Sequence, residues 1–231
     1  MQAKFSIFTV AALPIIPIAL ACGGDDGGGK ITVRADAAKQ IDAAPVVCTA
    51  AASYTGVVAG SNTQFAGSNG SGSDLQVYWA GRMDPTAMPD FIEIDLYNGV
   101  GPFSAGITPQ TISLTGDEAN YATCGACVLM FTDLHTVGSD VEITDFYFPT
   151  AGTLMLTSTT DDFMGTVTGL QMQHMIVSGN MLVPANDGCV TSVPSMTMNA
   201  VIEPQGSGSA WGKPAPSGKM SLKFKLPHRT F

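Results

Sequence analysis

Five stretches of the chain alternate between apolar and polar positions. Leu75, Val77 and Trp79 alternate with Gln76 and Tyr78. Ile92, Ile94 and Leu96 alternate with Glu93, Asp95 and Tyr97, and Ile112 and Leu114 with Thr111, Ser113 and Thr115. Met196, Met198, Ala200 and Ile202 alternate with Ser195, Thr197 and Asn199, and Met220, Leu222, Phe224 and Leu226 with Ser221, Lys223 and Lys225. A period of two places successive side chains on opposite faces of a strand, so each stretch predicts one face in the core and one in water. Val128–Phe131 and Leu154–Leu156 are short continuous apolar runs, as expected of more deeply buried strands. Within Val141–Phe148 the phase slips, because Val141 and Ile143 share a parity that Phe146 and Phe148 do not; a bulge near Asp145 accounts for it.

Turn chemistry separates these segments. Gly60-Ser61-Asn62, Gly67–Gly72, Asn98-Gly99, Thr150-Ala151-Gly152, Ser178-Gly179-Asn180 and Asn186-Asp187-Gly188 are all turn-prone. No stretch combines helical periodicity with both caps. About nine or ten short antiparallel strands spaced by turns predict an all-β domain, a β-sandwich or jelly roll, over residues 48–205. Gly206-Ser207-Gly208-Ser209 through Pro214-Ala215-Pro216 reads as a linker over residues 206–218. Residues 219–231 then carry an amphipathic segment with a basic outer face. It reads as an edge strand beside the acidic Glu93/Asp95 strand, where opposite charges attract, or as a tail.

The first 21 residues follow a different pattern. One basic residue, Lys4, precedes the apolar run Phe5–Ala21, which closes on the small residues Ala19-Leu20-Ala21. This is the layout of a secretory signal, and the run is too short and too interrupted by Pro14 and Pro17 for a spanning helix. Cys22 follows directly. Ala19-Leu20-Ala21-Cys22 resembles the lipobox of bacterial lipoproteins. The resemblance implies cleavage before Cys22 and lipid attachment at Cys22; Gly23, where inner-membrane retention would place Asp, implies sorting to the outer membrane. Residues 22–47 read as a flexible tether: Gly23-Gly24-Asp25-Asp26-Gly27-Gly28-Gly29 cannot bury enough apolar surface to order itself. Its Asp/Ala/Pro texture resembles the tethers of bacterial surface lipoproteins. The alternative is an ordinary signal peptide cleaved at Ala21, which leaves Cys22 as a free or bridging thiol.

Charge sharpens the partner classes. Charged residues are 13% of the chain, which fits strands with Thr, Ser and Gly on their outer faces better than a helical bundle. Between residues 40 and 212 the only basic residue is Arg82, against sixteen acids. Such a body has no basic patch to neutralise phosphates, so no nucleic-acid partner is expected. The lipid bilayer is the expected partner through the anchor, with a glycan or protein partner left unassigned.

Cys48, Cys124, Cys127 and Cys189 remain once Cys22 is set aside. In an exported protein four thiols imply two disulfides. Three pairings are open; Cys124–Cys127 with Cys48–Cys189 is favoured. The C-x-x-C spacing of Cys124-Gly125-Ala126-Cys127 also fits redox chemistry, but that requires a helix N-terminus at the first cysteine, and a strand-like run follows instead.

Other candidate chemistry is sparse. Glu93 and Asp95 share a strand face, and paired carboxylates can hydrolyse glycosides, but the plain reading is a solvated strand face. His135, His174 and His228 read as ordinary surface or core-edge residues, and no serine stands in a nucleophile-elbow context. Asp117-Glu118, Asp161-Asp162 and Asn186-Asp187-Gly188 are acidic turns suited to loop calcium, without the spacing of a known calcium loop. Tyr78, Phe91 and Tyr97 read as outward aromatics that could stack on sugars. The expectation is therefore a non-catalytic envelope lipoprotein active in binding, adhesion or envelope structure, with no cofactor and no catalytic residues. The alternative is an exported hydrolase with dispersed catalytic residues.

Overall fold

Residues 46–137, 140–178, 181–204 and 221–222 are described by the computed structural model of the chain. The signal segment, Cys22, nearly all of the tether, the linker 206–218 and His228 lie outside them.

Alternation becomes strand almost everywhere it occurs. Twelve strands lie among the described residues: β1 Gln64–Asn69, β2 Gln76–Arg82, β3 Phe91–Tyr97, β4 Thr111–Ser113, β5 Ala126–Phe131, β6 His135–Val137, β7 Asp140–Glu142, β8 Phe146–Thr159, β9 Asp162–Ser178, β10 Met181–Pro184, β11 Val190–Pro204 and β12 Ser221–Leu222. The helical content among them is short 3-10 turns, such as Gly116–Ala119. The fold is thus all-β and disulfide-bonded.

Nine strands form one sheet in the order β10-β9-β11-β1-β2-β3-β5-β8-β4, and β9 also pairs with β8. That extra pairing closes the sheet into a ring, β9-β11-β1-β2-β3-β5-β8, which encloses its core as the two layers of a sandwich would. The long strands β8 and β9 make closure possible: they pair from Phe146↔Met175 to Thr159↔Phe163, with register shifts at Pro149/Ala151, Ala151/Thr153 and Leu156/Ser158. Such irregularities let a strand bend around a barrel. All neighbours in the sheet are antiparallel except β1 and β11, which run parallel. The small sheet β12-β7-β6 is separate, with Ser221–Leu222 parallel to Asp140–Val141.

Inward positions of these strands fill the interior. Trp79, Ile92, Ile94, Leu96, Val128, Met130, Phe163 and Val167 belong to one core cluster, and Trp79 stacks on Phe163 with ring centroids 6.3 Å apart. A barrel of about this strand number is filled by side chains rather than left open. The continuous run in β5 has a second cause. Val128 and Met130 face this core, whereas Cys127, Leu129 and Phe131 join a second cluster on the outer side, with Tyr78, Phe146, Phe148 and Met175.

This outer cluster overturns two sequence expectations. Glu93 and Asp95 are not on a solvated face: they are buried, with 5% and 6% of their surfaces exposed. Tyr78 does not face solvent; it is fully buried, while Phe91 and Tyr97 are half-buried. Tyr78 lies over Gly67, where a Cβ would come within 2.3 Å of its Oη. The edge-pairing expected beside Glu93/Asp95 has no edge to use, because β3 is hydrogen-bonded to β2 on one side and β5 on the other.

The phase slip in Val141–Phe148 falls at the break between β7 and β8. There Thr144 and Asp145 both oppose Thr132, whose carbonyl accepts from the Thr144 amide at 3.0 Å and whose amide donates to the Asp145 carbonyl at 3.0 Å.

Candidate functional site

A group of interacting ionisable side chains lies where the N-terminal segment meets the ends of β8, β9 and β11. His174 enters it from β9 and is paired across the ladder with Tyr147 of β8, so the two rings meet at 5.4 Å. His174 Nδ1 lies 2.5 Å from Asp187 Oδ2, and its Nε2 lies 3.2 Å from Asp145 Oδ1. The imidazole is thus held between two carboxylates, with 12% of its side chain exposed against 29% for Asp145 and 25% for Asp187.

Local sequence explains each position. Asp145 sits just before β8, in the irregularity opposite Thr132. Asp187 occupies the turn Asn186-Asp187-Gly188, where Asn186 and Gly188 both adopt positive φ (57° and 81°). Its Oδ1 accepts the Cys189 amide at 2.9 Å, a local Asx contact that aims Oδ2 at His174. That amide and the His174 contact hold the Asp187 carboxyl below the usual carboxylate range, against a small opposing effect of burial.

Hydroxyl groups complete the cluster. Thr49 donates to Asp145 Oδ2 at 2.9 Å, and Thr132 donates to Thr49 Oγ1 at 3.1 Å. One residue before Thr49, Cys48 is bonded to Cys189, with sulfurs 2.02 Å apart and Cα atoms 5.5 Å apart. The N-terminal segment is therefore fastened to the mouth of the barrel by a disulfide and a carboxylate–hydroxyl contact side by side.

Chemically, this arrangement differs from a nucleophile–base–acid series. In such a series the imidazole takes the hydroxyl proton on one nitrogen while the acid orients the other. Here both ring nitrogens face carboxylates, and the Thr49 hydroxyl is turned to Asp145. An imidazolium, with two N–H donors, satisfies both carboxylates at once; the neutral ring satisfies one.

A second buried polar group braces the same segment. Tyr54, buried in the core, donates its hydroxyl to Asp90 Oδ2 and accepts the Ala51 amide at 3.0 Å. Asp90 Oδ1 accepts the Asp133 amide at 2.9 Å, where Asp133 has a φ of 53°. Burial raises the pKa of both Tyr54 and Asp90. In the loop before β3, burial also opposes ionisation of Asp84, but donors from Thr86 and the Asp90 amide outweigh it and lower its pKa. Arg82 spends its guanidinium on the carbonyls of Asp84 and Thr86.

The remaining sequence candidates are dispersed. The disulfide Cys124–Cys127 opens β5, and both cysteines are fully buried. Glu118, from an acidic turn read as a calcium candidate, instead caps backbone: Oε1 accepts the Gly125 amide at 3.2 Å and Oε2 the Ala126 amide at 2.6 Å. Asp95 accepts Gln76 Nε2 at 2.9 Å. His135 lies apart from His174, with Nδ1 2.8 Å from the Asp133 carbonyl and Nε2 3.7 Å from Glu142. Among the described residues no group of three His, Cys, Asp or Glu is placed to hold a metal ion.

From the sequence, His174 reads as an ordinary surface or core-edge residue and Asp145 as the place of a strand bulge. The turn at Asp187 was visible; its partner was not. Fold and site together define a disulfide-stapled all-β domain with an acid–histidine–acid clasp at the barrel mouth. No family model, curated protein or solved structure matches the chain.

Proposed function

We propose that the protein is a lipid-anchored component of a bacterial envelope, held at Cys22, whose β-domain acts without catalysis in binding, adhesion or envelope structure. The observation that carries this reading is the use of the cysteines. Of five in the chain, four are consumed in Cys48–Cys189 and Cys124–Cys127, leaving Cys22 at the lipobox-like position. Paired structural disulfides fit an oxidising compartment outside the cytoplasm. Two or three acyl chains, at about 0.8 kcal/mol per buried CH₂, would hold such a protein firmly in an outer membrane.

The clasp supports the non-catalytic half of the reading, because its polar atoms are turned on one another and on the N-terminal segment. The decisive experiment is metabolic labelling with an alkyne-bearing palmitate in a bacterial host. The wild-type chain is expected to take up label and partition into detergent, and Cys22→Ser to do neither. Label retained by Cys22→Ser defeats the anchor. Glycan-array binding by the purified protein then separates a binding role from a purely structural one.

A further inference from the structure

The outward positions of β4, β8, β9 and β11 form a regular grid of hydroxyl groups. One row runs Ser113, Thr153, Thr168, Ser195 across the four strands, and the next runs Thr111, Met155, Thr166, Thr197. A third row, Ser158, Met164, Asn199, crosses three of them. Leu154, Val167 and Met196, which alternate with these positions, belong to the barrel core, so the grid faces outward. Thr166 and Ser158 are half-buried and the other grid positions are exposed. Among the described residues one grid hydroxyl has a side-chain partner: Ser113 Oγ lies 3.0 Å from Thr115 Oγ1. The other hydroxyls are left to whatever lies outside.

Charge decides what kind of partner fits. The chain carries a net charge of −9, yet no grid position is ionisable. A charged partner finds no complementary charge there, whereas a neutral one has no fixed charge to desolvate. No grid position is aromatic either, so the face lacks the flat rings on which a sugar stacks. A hydroxyl that exchanges water for another hydroxyl gains about 0.5–1.5 kcal/mol net. Useful affinity therefore requires a partner that repeats as the grid repeats and engages many positions at once.

Ice repeats in that way. Its oxygens are bonded tetrahedrally at about 2.75 Å, which puts next-nearest oxygens about 4.5 Å apart and repeats the lattice along the hexagonal axis every eight-thirds of a bond, about 7.3 Å. Neighbouring strands lie about 4.8 Å apart, and alternate residues on one strand about 6.8 Å apart. Across four strands the two spacings diverge by about 0.9 Å, and across three rows by about 1 Å. Threonine suits such a surface. Its β-branch fixes χ1, so the hydroxyl is held in place, and its methyl restricts the water that the hydroxyl binds.

We propose that the face formed by β4, β8, β9 and β11 binds ice, with Thr153, Thr166, Thr168 and Thr197 at its centre. The inference rests on the adhesion reading given above for its setting and names the target. Palmitate labelling tests the anchor; the assay below tests the face alone.

The test is partition of the mature full-length chain, kept in solution by a mild detergent, into slowly grown ice, with serum albumin in the same detergent as the reference. The wild-type chain is expected to be enriched in the ice over albumin and to arrest the coarsening of crystals in an annealed frozen film. Thr168→Tyr and Thr197→Tyr, both at exposed positions, should each abolish the two effects at unchanged Tm, and either serves if the other fails to fold. Ser61→Tyr, in the exposed turn before β1, should keep both effects. Albumin-like exclusion of the folded wild-type chain from ice would overturn the proposal, as would full activity in a folded face variant. Sedimentation with microcrystalline cellulose that Thr168→Tyr abolishes, without enrichment in ice, would also overturn it and give the face to a polysaccharide lattice.

Discussion

His174 holds Asp187 at 2.5 Å through one ring nitrogen and faces Asp145 at 3.2 Å through the other, joining strand β9 to the turn before β11 and to the start of β8. Replacing the ring by Gln keeps one polar contact and loses the other. His174→Gln should cost about 1.5–3 kcal/mol, the range for hydrogen bonds to charged groups, and His174→Ala more, because it removes both contacts. Denaturant titration of both variants checks the order; an unchanged midpoint in His174→Ala would show that the clasp contributes nothing.

Acid should loosen the same end of the molecule through Asp187. Its folded pKa lies below the ordinary value. The carboxylate therefore contributes stability that is fully present above the unfolded pKa of about 3.9 and is lost as pH falls through the folded value. Thermal melts should show a fall in Tm on the acid side that is shallower in Asp187→Asn. Parallel curves for the two proteins would contradict the assignment.

Removing the hydroxyl of Tyr78 should not destabilise the fold. Its Oη is buried and has no hydrogen-bond partner, and burial together with Glu93 and Asp95 pushes its pKa up to about 12. A buried polar atom without a partner carries its desolvation penalty of about 1–3 kcal/mol, so Tyr78→Phe is expected to be neutral or to raise Tm. Gly67→Ala should act in the opposite direction, since its Cβ would lie 2.3 Å from that oxygen and 3.0 Å from the Glu203 carbonyl. Overpacking of this kind costs about 1–3 kcal/mol. The two variants compared by calorimetry give the test.

Glu118 should behave as a structural cap. Glu118→Ala strips an acceptor from the Gly125 and Ala126 amides beside the buried Cys124–Cys127 bond. The expected loss is about 1–3 kcal/mol, with faster hydrogen exchange at those two amides as the specific readout. Calcium should leave Tm unchanged.

The two disulfides should differ in weight. Cys48–Cys189 closes a loop with a sequence separation of 141, and Cys124–Cys127 one of 3. By chain entropy the first is worth about 4–5 kcal/mol, and a loop as short as the second far less. Cys48→Ser/Cys189→Ser should therefore lower Tm well beyond Cys124→Ser/Cys127→Ser; equal losses would point to strain or packing instead.

How far the sequence reached can be read from particular residues. Alternation in β2 and β3 was legible because Val77, Trp79, Ile92 and Ile94 all face one core. The same alternation misled for Glu93 and Asp95: a polar residue between apolar ones marks the other face of a strand, not water, and in this sheet the other face of β3 is buried as well. The clasp was illegible for a different reason. Asp145, His174 and Asp187 are separated by whole strands, and it is register that unites them, His174 opposite Tyr147 across β8 and β9. Register depends on the bulges and shifts of two long strands, which local pattern does not specify.

The staple at Cys48 also decides how the molecule carries tension. When the chain ahead of Cys48 is pulled against a hold beyond Pro204, the load passes through the sulfur–sulfur bond directly to Cys189, at the foot of β11. The strands from β1 to β10 then lie in the loop that this covalent link bypasses, and the backbone of that loop bears none of it. Such a domain can be tugged from its N-terminal side without unravelling most of its barrel, and a reductant would turn it into one that unzips.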